Sequence, residues 1–231
     1  MFRRPPGQIR WEPCAKPGGG ARWIVRLGGR DDRTYRRLVA PLVPAIERSL
    51  GSIAFANRAG PGARLGPWRP ARRAWGRVVR AAAGGETEVI VVSDVRDCYG
   101  SMGERALRVL GIGGELDRFL RTLRDAGIRG LPIGPEPSAI LANAILGIAD
   151  REAEVAGCRP IRWVDDVAFA AAGRGTARRA FDAWRRTLEE LGLEAHEGKT
   201  GWHDRSLLTG LPRSLSASGS AVTPRGIIRT P

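Results

Sequence analysis

The chain has 231 residues, 42% hydrophobic and 27% charged, enough for one sizeable core or a core with a smaller lobe. It contains no apolar run of about 18 residues or more, and Met1-Phe2-Arg3-Arg4-Pro5-Pro6 lacks the apolar stretch of a signal peptide; the expectation is a cytoplasmic protein without a membrane span. Cys14, Cys98 and Cys158 are too few and too widely spaced for a disulfide framework or a CxxC zinc site.

The net charge of +14 is unevenly distributed. Residues 1–84 hold 18 Lys+Arg against 4 Asp+Glu, while residues 85–231 hold 20 of each. A GC-rich genome would account for arginine over lysine, but not for the scarcity of acids in the first part alone. An arginine surplus interleaved with Trp11, Trp23, Trp68 and Trp75 has the character of a surface for phosphate backbones with stacking side chains.

Four regions are expected. Residues 1–20, rich in Pro, Gly and Arg, read as a flexible basic arm. The basic region 21–84 opens with a strand over 21–27, ended by Gly28-Gly29. Apolar residues at helical spacing follow from Asp32 to Leu50; Pro41 and Pro44 make two short helices as reasonable as one. A loop-rich stretch containing Phe55-Ala56-Asn57-Arg58 then precedes a helix over 71–83.

The third region, 85–212, starts with Val89-Ile90-Val91-Val92-Ser93, a β-branched run suited to a buried central strand that ends at Asp94. Helices are expected over 105–110 and 115–126. A Gly/Pro-rich loop over 127–137 leads to a long helix over 138–155, capped by Pro137 or Ser138. Ile161-Arg162-Trp163-Val164-Asp165-Asp166-Val167-Ala168-Phe169 reads as a β-hairpin whose two-residue turn is Asp165-Asp166. An amphipathic helix over 176–191 and strand candidates at 193–196 and 207–208 complete the region. The fourth region, 213–231, is expected to be a flexible tail.

Taken alone, Asp165-Asp166 has two readings: an exposed turn, because Asp favours turns, or ligands for a divalent cation, because adjacent buried carboxylates repel unless neutralised. Asp94, at the end of a separate buried strand, supplies a third carboxylate. Three such acids on adjacent antiparallel strands match the needs of two-metal phosphoryl transfer.

At this point the chain resembles the palm of a reverse transcriptase over about residues 20–212. Asp94, Asp97 and Tyr99 match the family's first motif, in which Tyr99 would be the ring beneath the incoming sugar that favours deoxynucleotides. Gly130, Leu131, Pro132, Gly134, Ser138, Leu141, Ala142 and Asn143 match its glycine-rich loop and following helix; Ile133 stands where Gln is common. Trp163-Val164-Asp165-Asp166 matches Tyr-x-Asp-Asp with Trp for Tyr. Leu191–Thr200 is similar to the motif that ends in Lys-Thr, with Lys199 as one of only two lysines.

The resemblance implies an α/β (α+β) right-hand palm with an antiparallel sheet, packed helices and small basic fingers. It implies RNA-directed DNA polymerase activity on an RNA template and a DNA or RNA primer with dNTP substrates. Mg²⁺, with Mn²⁺ as the alternative, would be held by Asp94, Asp165 and Asp166, and Lys199 would act as proton donor. Asp97, Tyr99, Gly134, Ser138 and Asn143 would bind the nucleotide, with Arg22, Arg26, Arg30 and Arg33 as candidates for triphosphate or template contacts, and residues 207–211 as a primer grip. The chain stops about where the family adds its thumb, so a partner protein, an oligomer or a structured RNA is expected to hold the duplex. Short bacterial relatives in phage defence are the nearest analogy, with untemplated or protein-primed synthesis as a variant. The alternatives are a catalytically silent palm that binds RNA within an assembly, and another palm enzyme such as a nucleotide cyclase.

Overall fold

The computed structural model describes residues 7–15, 19–51, 54–83 and 86–204. The chain begins with β1 (Arg10–Ala15) and β2 (Ala21–Arg26), an antiparallel ribbon paired from Arg10↔Arg26 to Ala15↔Ala21. Residues 10–15 therefore form a strand where the composition pointed to a flexible arm. Pro13 conceals it in the sequence, because proline cannot donate to a ladder; in a two-stranded ribbon each strand keeps one unpaired side where proline is tolerated.

α1 (Gly29–Val39) and α2 (Val43–Ser49) are separate helices joined by a 3₁₀ turn at Ala40–Leu42. Pro41 and Pro44 lie in the first turns of the elements they open, where no intrahelical hydrogen bond is lost. The two-residue strands β3 (Ala59–Gly60) and β4 (Arg64–Leu65) pair, and α3 (Trp68–Ala83) follows. α3 starts three residues before the predicted helix, since Pro70 is compatible with a first turn.

Next come β5 (Val89–Ser93), α4 (Cys98–Ser101), α5 (Glu104–Arg108), α6 (Gly114–Asp125) and α7 (Glu136–Val155). The hairpin strands β6 (Pro160–Trp163) and β7 (Asp166–Ala171), then α8 (Arg174–Glu190) and β8 (Gly201–Asp204), complete the described chain. β8 replaces the strand expected at 193–196, where Ala195 makes only a lone bridge to Val95. The candidates at 207–208 and 207–211 and the tail 213–231 lie outside the described residues.

β6, β7, β5 and β8 form one sheet in that order, with every neighbouring pair antiparallel. Alternation along the strands divides its faces. Val89, Val91, Val167 and Phe169 pack toward α7 and α8, and Phe169 meets Phe181 and Trp184 edge-on at centroid distances of 5.9 and 5.6 Å. Ile90, Ile161, Trp163 and Ala168 face Trp75 and Val79 of α3. The larger core also contains Val25, Tyr35, Val39 and Ile46, so the basic N-terminal region and the sheet share one interior. No helix among the described residues is long and apolar enough to cross a membrane.

Phe169 is fully buried at the centre of this packing. Phe169→Ala is expected to lower the unfolding free energy by about 3–5 kcal/mol, measured by urea denaturation.

Candidate active site

β5 delivers Asp94 to its C-terminal end, where the residue is 6% exposed. β7 runs antiparallel beside β5, so the β6–β7 turn lies at the same end of the sheet. The turn is one residue earlier than predicted. Trp163 pairs with Asp166, so the central residues are Val164 and Asp165, and Asp166 is the first residue of β7. The shift places Val164 at φ 57°, a left-handed conformation that is costly for a β-branched side chain.

The two adjacent acids consequently have different surroundings. Asp165 lies within the field of Asp94, and its carboxyl is pushed up to about 6, first by loss of surrounding water and then by the Asp94 charge. A hydrogen bond from the turn backbone, Arg22 and Lys199 act in the opposite direction without restoring the ordinary value. Asp166 lies on the α3 side of the sheet, within the field of Arg72, whose guanidinium stacks 4.1 Å from the Trp75 ring centroid and 4.9 Å from that of Trp163.

Lys199 completes the group. Its Nζ donates to Asp94 Oδ2 at 2.8 Å, although the side chain is 56% exposed. Partial burial works against the charge, but the hydrogen bond and the charges of Asp94, Asp165 and Asp166 outweigh it, so the ammonium holds its proton more tightly than an ordinary lysine. The segment carrying Lys199 is tied to the end of β5 by His196 N–H donating to Asp94 O at 2.7 Å and by the Ser93–Thr200 hydroxyl pair at 2.9 Å. Two carboxylates at one end of the sheet, each in the other's field, offer oxygen ligands of the kind a hard divalent cation takes. As the side chains stand, no three His, Cys, Asp or Glu side chains among the described residues are gathered closely enough to hold a metal ion.

Beside the acids lies a cavity of about 570 Å³, lined by Tyr99, Ile133, Gly134, Trp163 and Val164 together with Arg22, Phe55, Arg58, Arg64 and Trp68. The glycine-rich loop fixes its floor through two close backbone contacts. At Gly130, with φ 59°, a Cβ would stand 2.1 Å from Tyr99 O, which also accepts from Leu131 N–H at 2.9 Å. At Gly134, with φ 125°, a Cβ would stand 2.6 Å from Ile24 and 2.8 Å from Val25 O. Val25 N–H donates to Ile133 O at 2.7 Å. One loop thus joins the Tyr99 turn to the β1–β2 ribbon.

Not every predicted residue reaches the cavity. Ser138 is buried against the Tyr35 hydroxyl at 3.2 Å, and Asn143 is buried with its amide bonded to Ala56 O at 3.1 Å. Both hold the frame together. Asp97 stands at the start of α4 in a left-handed conformation and pairs with Arg129 at 2.9 Å on the exposed side. Of the four candidate arginines, Arg22 lines the cavity, whereas Arg26 is paired with Glu12 at 2.8 Å and neither Arg30 nor Arg33 is in the lining. Trp68, expected among the stacking tryptophans of the basic region, lines the cavity, whereas Arg58 and Arg64 were not singled out by the sequence. Their available signal was the acid-poor composition of residues 1–84, which marks a region but not individual positions.

No family model and no curated protein matches the sequence. Among solved structures, the chain is similar to that of apo telomerase from Candida tropicalis truncated from the C-terminal domain. The likeness has a TM-score of 0.52 at 10% identity and covers 86% of this chain and 50% of that one. The chain thus spans about half the length of that relative, and what the two share is a palm-like α/β fold with an antiparallel sheet and packed helices.

Because the Asp165 carboxyl is raised from 3.8 to about 6, the folded state holds its proton where the unfolded chain has released it. The stability associated with this group is complete below the unfolded value and is lost as pH rises through the folded one. In EDTA, Asp165→Asn is expected to raise the unfolding free energy by about 1–3 kcal/mol at about pH 7.5, with the gain disappearing toward about pH 4. Partial solvent contact at the turn screens the repulsion and keeps the effect toward the lower end. Denaturant titrations of both proteins across this range measure it.

Proposed function

We propose that the chain is a nucleotidyltransferase of the reverse-transcriptase type, extending a primer with deoxynucleotides on an RNA template. The observation that carries this reading is that Asp94 and Asp165 stand at the same end of the paired strands β5 and β7, each in the other's field, next to a cavity walled by Tyr99 and the Gly130–Gly134 loop. The likeness in fold to telomerase, a reverse transcriptase-related polymerase, supports it. So does the order of the motifs along the chain.

In this reading Asp94 and Asp165 hold Mg²⁺ or Mn²⁺, with Asp166 supporting from β7. When bound, the cations supply acidification of the attacking hydroxyl and neutralisation of the triphosphate. Arg22 and Arg64 offer charge to phosphates, while Phe55 and Trp68 offer faces to bases; Arg58 is held by Glu47 at 2.7 Å and Trp163 is buried against Trp75, so both shape the wall. Tyr99 excludes a 2′-hydroxyl from the cavity. Lys199, protonated at neutral pH and released from Asp94, donates its proton to the departing pyrophosphate.

A second reading, an RNA-binding palm without catalysis, is favoured by the Lys199–Asp94 ion pair and by the absence of a gathered three-acid cluster among the described residues. Incorporation of labelled dNTPs and NTPs on primed RNA, in Mg²⁺ or Mn²⁺, separates the two. The wild-type chain is expected to incorporate dNTPs, and Asp165→Asn to abolish incorporation. Tyr99→Ala is expected to raise ribonucleotide use relative to deoxynucleotide use by about 10–200-fold. RNA binding without incorporation in either metal would establish the second reading, and full activity of Asp165→Asn would remove Asp165 from the chemistry.

A further inference from the structure

The β6–β7 turn that carries Asp165 is held from beneath by a buried arginine. Arg162 lies on β6 with its side chain 1% exposed, facing α7. Its Nε donates to Asp150 Oδ2 at 2.6 Å, and its Nη1 donates to Asn143 Oδ1 at 2.7 Å and to Val164 O at 2.9 Å. Asp150 and Asn143 are seven residues apart, hence on one face of α7. Asn143 in turn donates from Nδ2 to Ala56 O, and Phe55 N–H donates to Arg162 O at 3.2 Å.

We propose that Arg162 is the positioning residue for Asp165: clamped by Asp150 and Asn143, its guanidinium holds the Val164 carbonyl and keeps the turn in the left-handed conformation that aims Asp165 at Asp94. The proposal rests on the reading of Asp94 and Asp165 as the working acids. Two features independent of that reading point to it. Val164 adopts φ 57° without being glycine, so its surroundings must impose the conformation, and a charged donor on its carbonyl is such a constraint. A buried ion pair is also a weak stabiliser relative to apolar packing of similar volume, so its distinctive contribution here is directional. Only a planar fork reaches Asp150, Asn143 and Val164 together; a lysine ammonium at this position cannot.

The test uses the full chain with Arg162→Lys, alone and combined with Val164→Gly. Readouts are thermal unfolding, amide hydrogen exchange at residues 164–166, and kcat and KM for dNTP incorporation. Arg162→Lys is expected to unfold cooperatively, to exchange at 164–166 at least about tenfold faster, and to lose about 10²-fold in kcat with KM for the nucleotide unchanged. Glycine adopts a positive φ without strain, so Val164→Gly in the Arg162→Lys background should recover much of both the protection and the kcat. A role confined to packing would not respond to glycine at the neighbouring turn.

Wild-type exchange at 164–166 in Arg162→Lys, or no recovery with Val164→Gly, overturns the proposal. If Arg162→Lys does not fold, Asn143→Ala removes one clamp while leaving the Asp150 pair, and it should loosen the same amides; unchanged exchange there counts against the proposal in the same way. If the wild-type chain incorporates no nucleotide, the catalytic reading fails. The exchange measurements then still decide whether Arg162 holds the turn.

Discussion

Asp94 and Asp165 repel each other where water is scarce, and much of the surrounding structure manages that repulsion. Strand β5 is β-branched and buried on both faces, which holds Asp94 in place; β7 pairs beside it and brings the Asp165 turn to the same end of the sheet. Lys199 offsets part of the charge through Asp94, and Arg22 and Lys199 moderate the Asp165 carboxyl. Without these partners the acids would be driven toward neutrality or apart. With them, two carboxylates are kept within each other's field at an energetic cost.

The glycine-rich loop sets how the basic region meets this end of the sheet. Gly130 allows the loop to lie against the Tyr99 carbonyl, and Gly134 allows the β1–β2 ribbon to lie against the loop. Gly130 meets backbone and Gly134 meets both the Ile24 side chain and the Val25 carbonyl, and neither position has space for a side chain. The cavity is therefore walled in part by the β1–β2 ribbon, the loop and the Asp165 turn together, and its shape depends on all three remaining docked.

Local patterns revealed the parts of the fold that local forces dominate. The run Val89–Ser93 showed the central strand, the helical spacing over 176–191 showed α8, and the positions of Asp94 and Asp165 at strand ends followed from the hydrophobic runs beside them. What could not be read depended on partners remote in sequence. β1 contains Pro13, and β8 is Gly-Trp-His-Asp; each is a strand because of what lies beside it. The expected hairpin turn lies one residue late because two aspartates are better local turn formers than Val-Asp, while the observed register packs Trp163 against Trp75 and gives Val164 O a hydrogen bond from Arg162, contacts remote from the local pattern. Ser138 and Asn143 matched a functional motif yet lie in the interior, since a motif records residue types and spacing but not the direction in which each side chain points.

Ile133 marks a division of labour within a single residue. Its carbonyl oxygen anchors the ribbon through Val25 N–H, an interaction available to any amino acid, while the residue itself belongs to the wall of the cavity. The architecture therefore places no demand on the chemistry of this side chain. The hydrocarbon here supplies no directional hydrogen-bonding group to the wall, so the surface it forms discriminates by shape and water exclusion. Selectivity at this wall can thus vary independently of the scaffold that supports it.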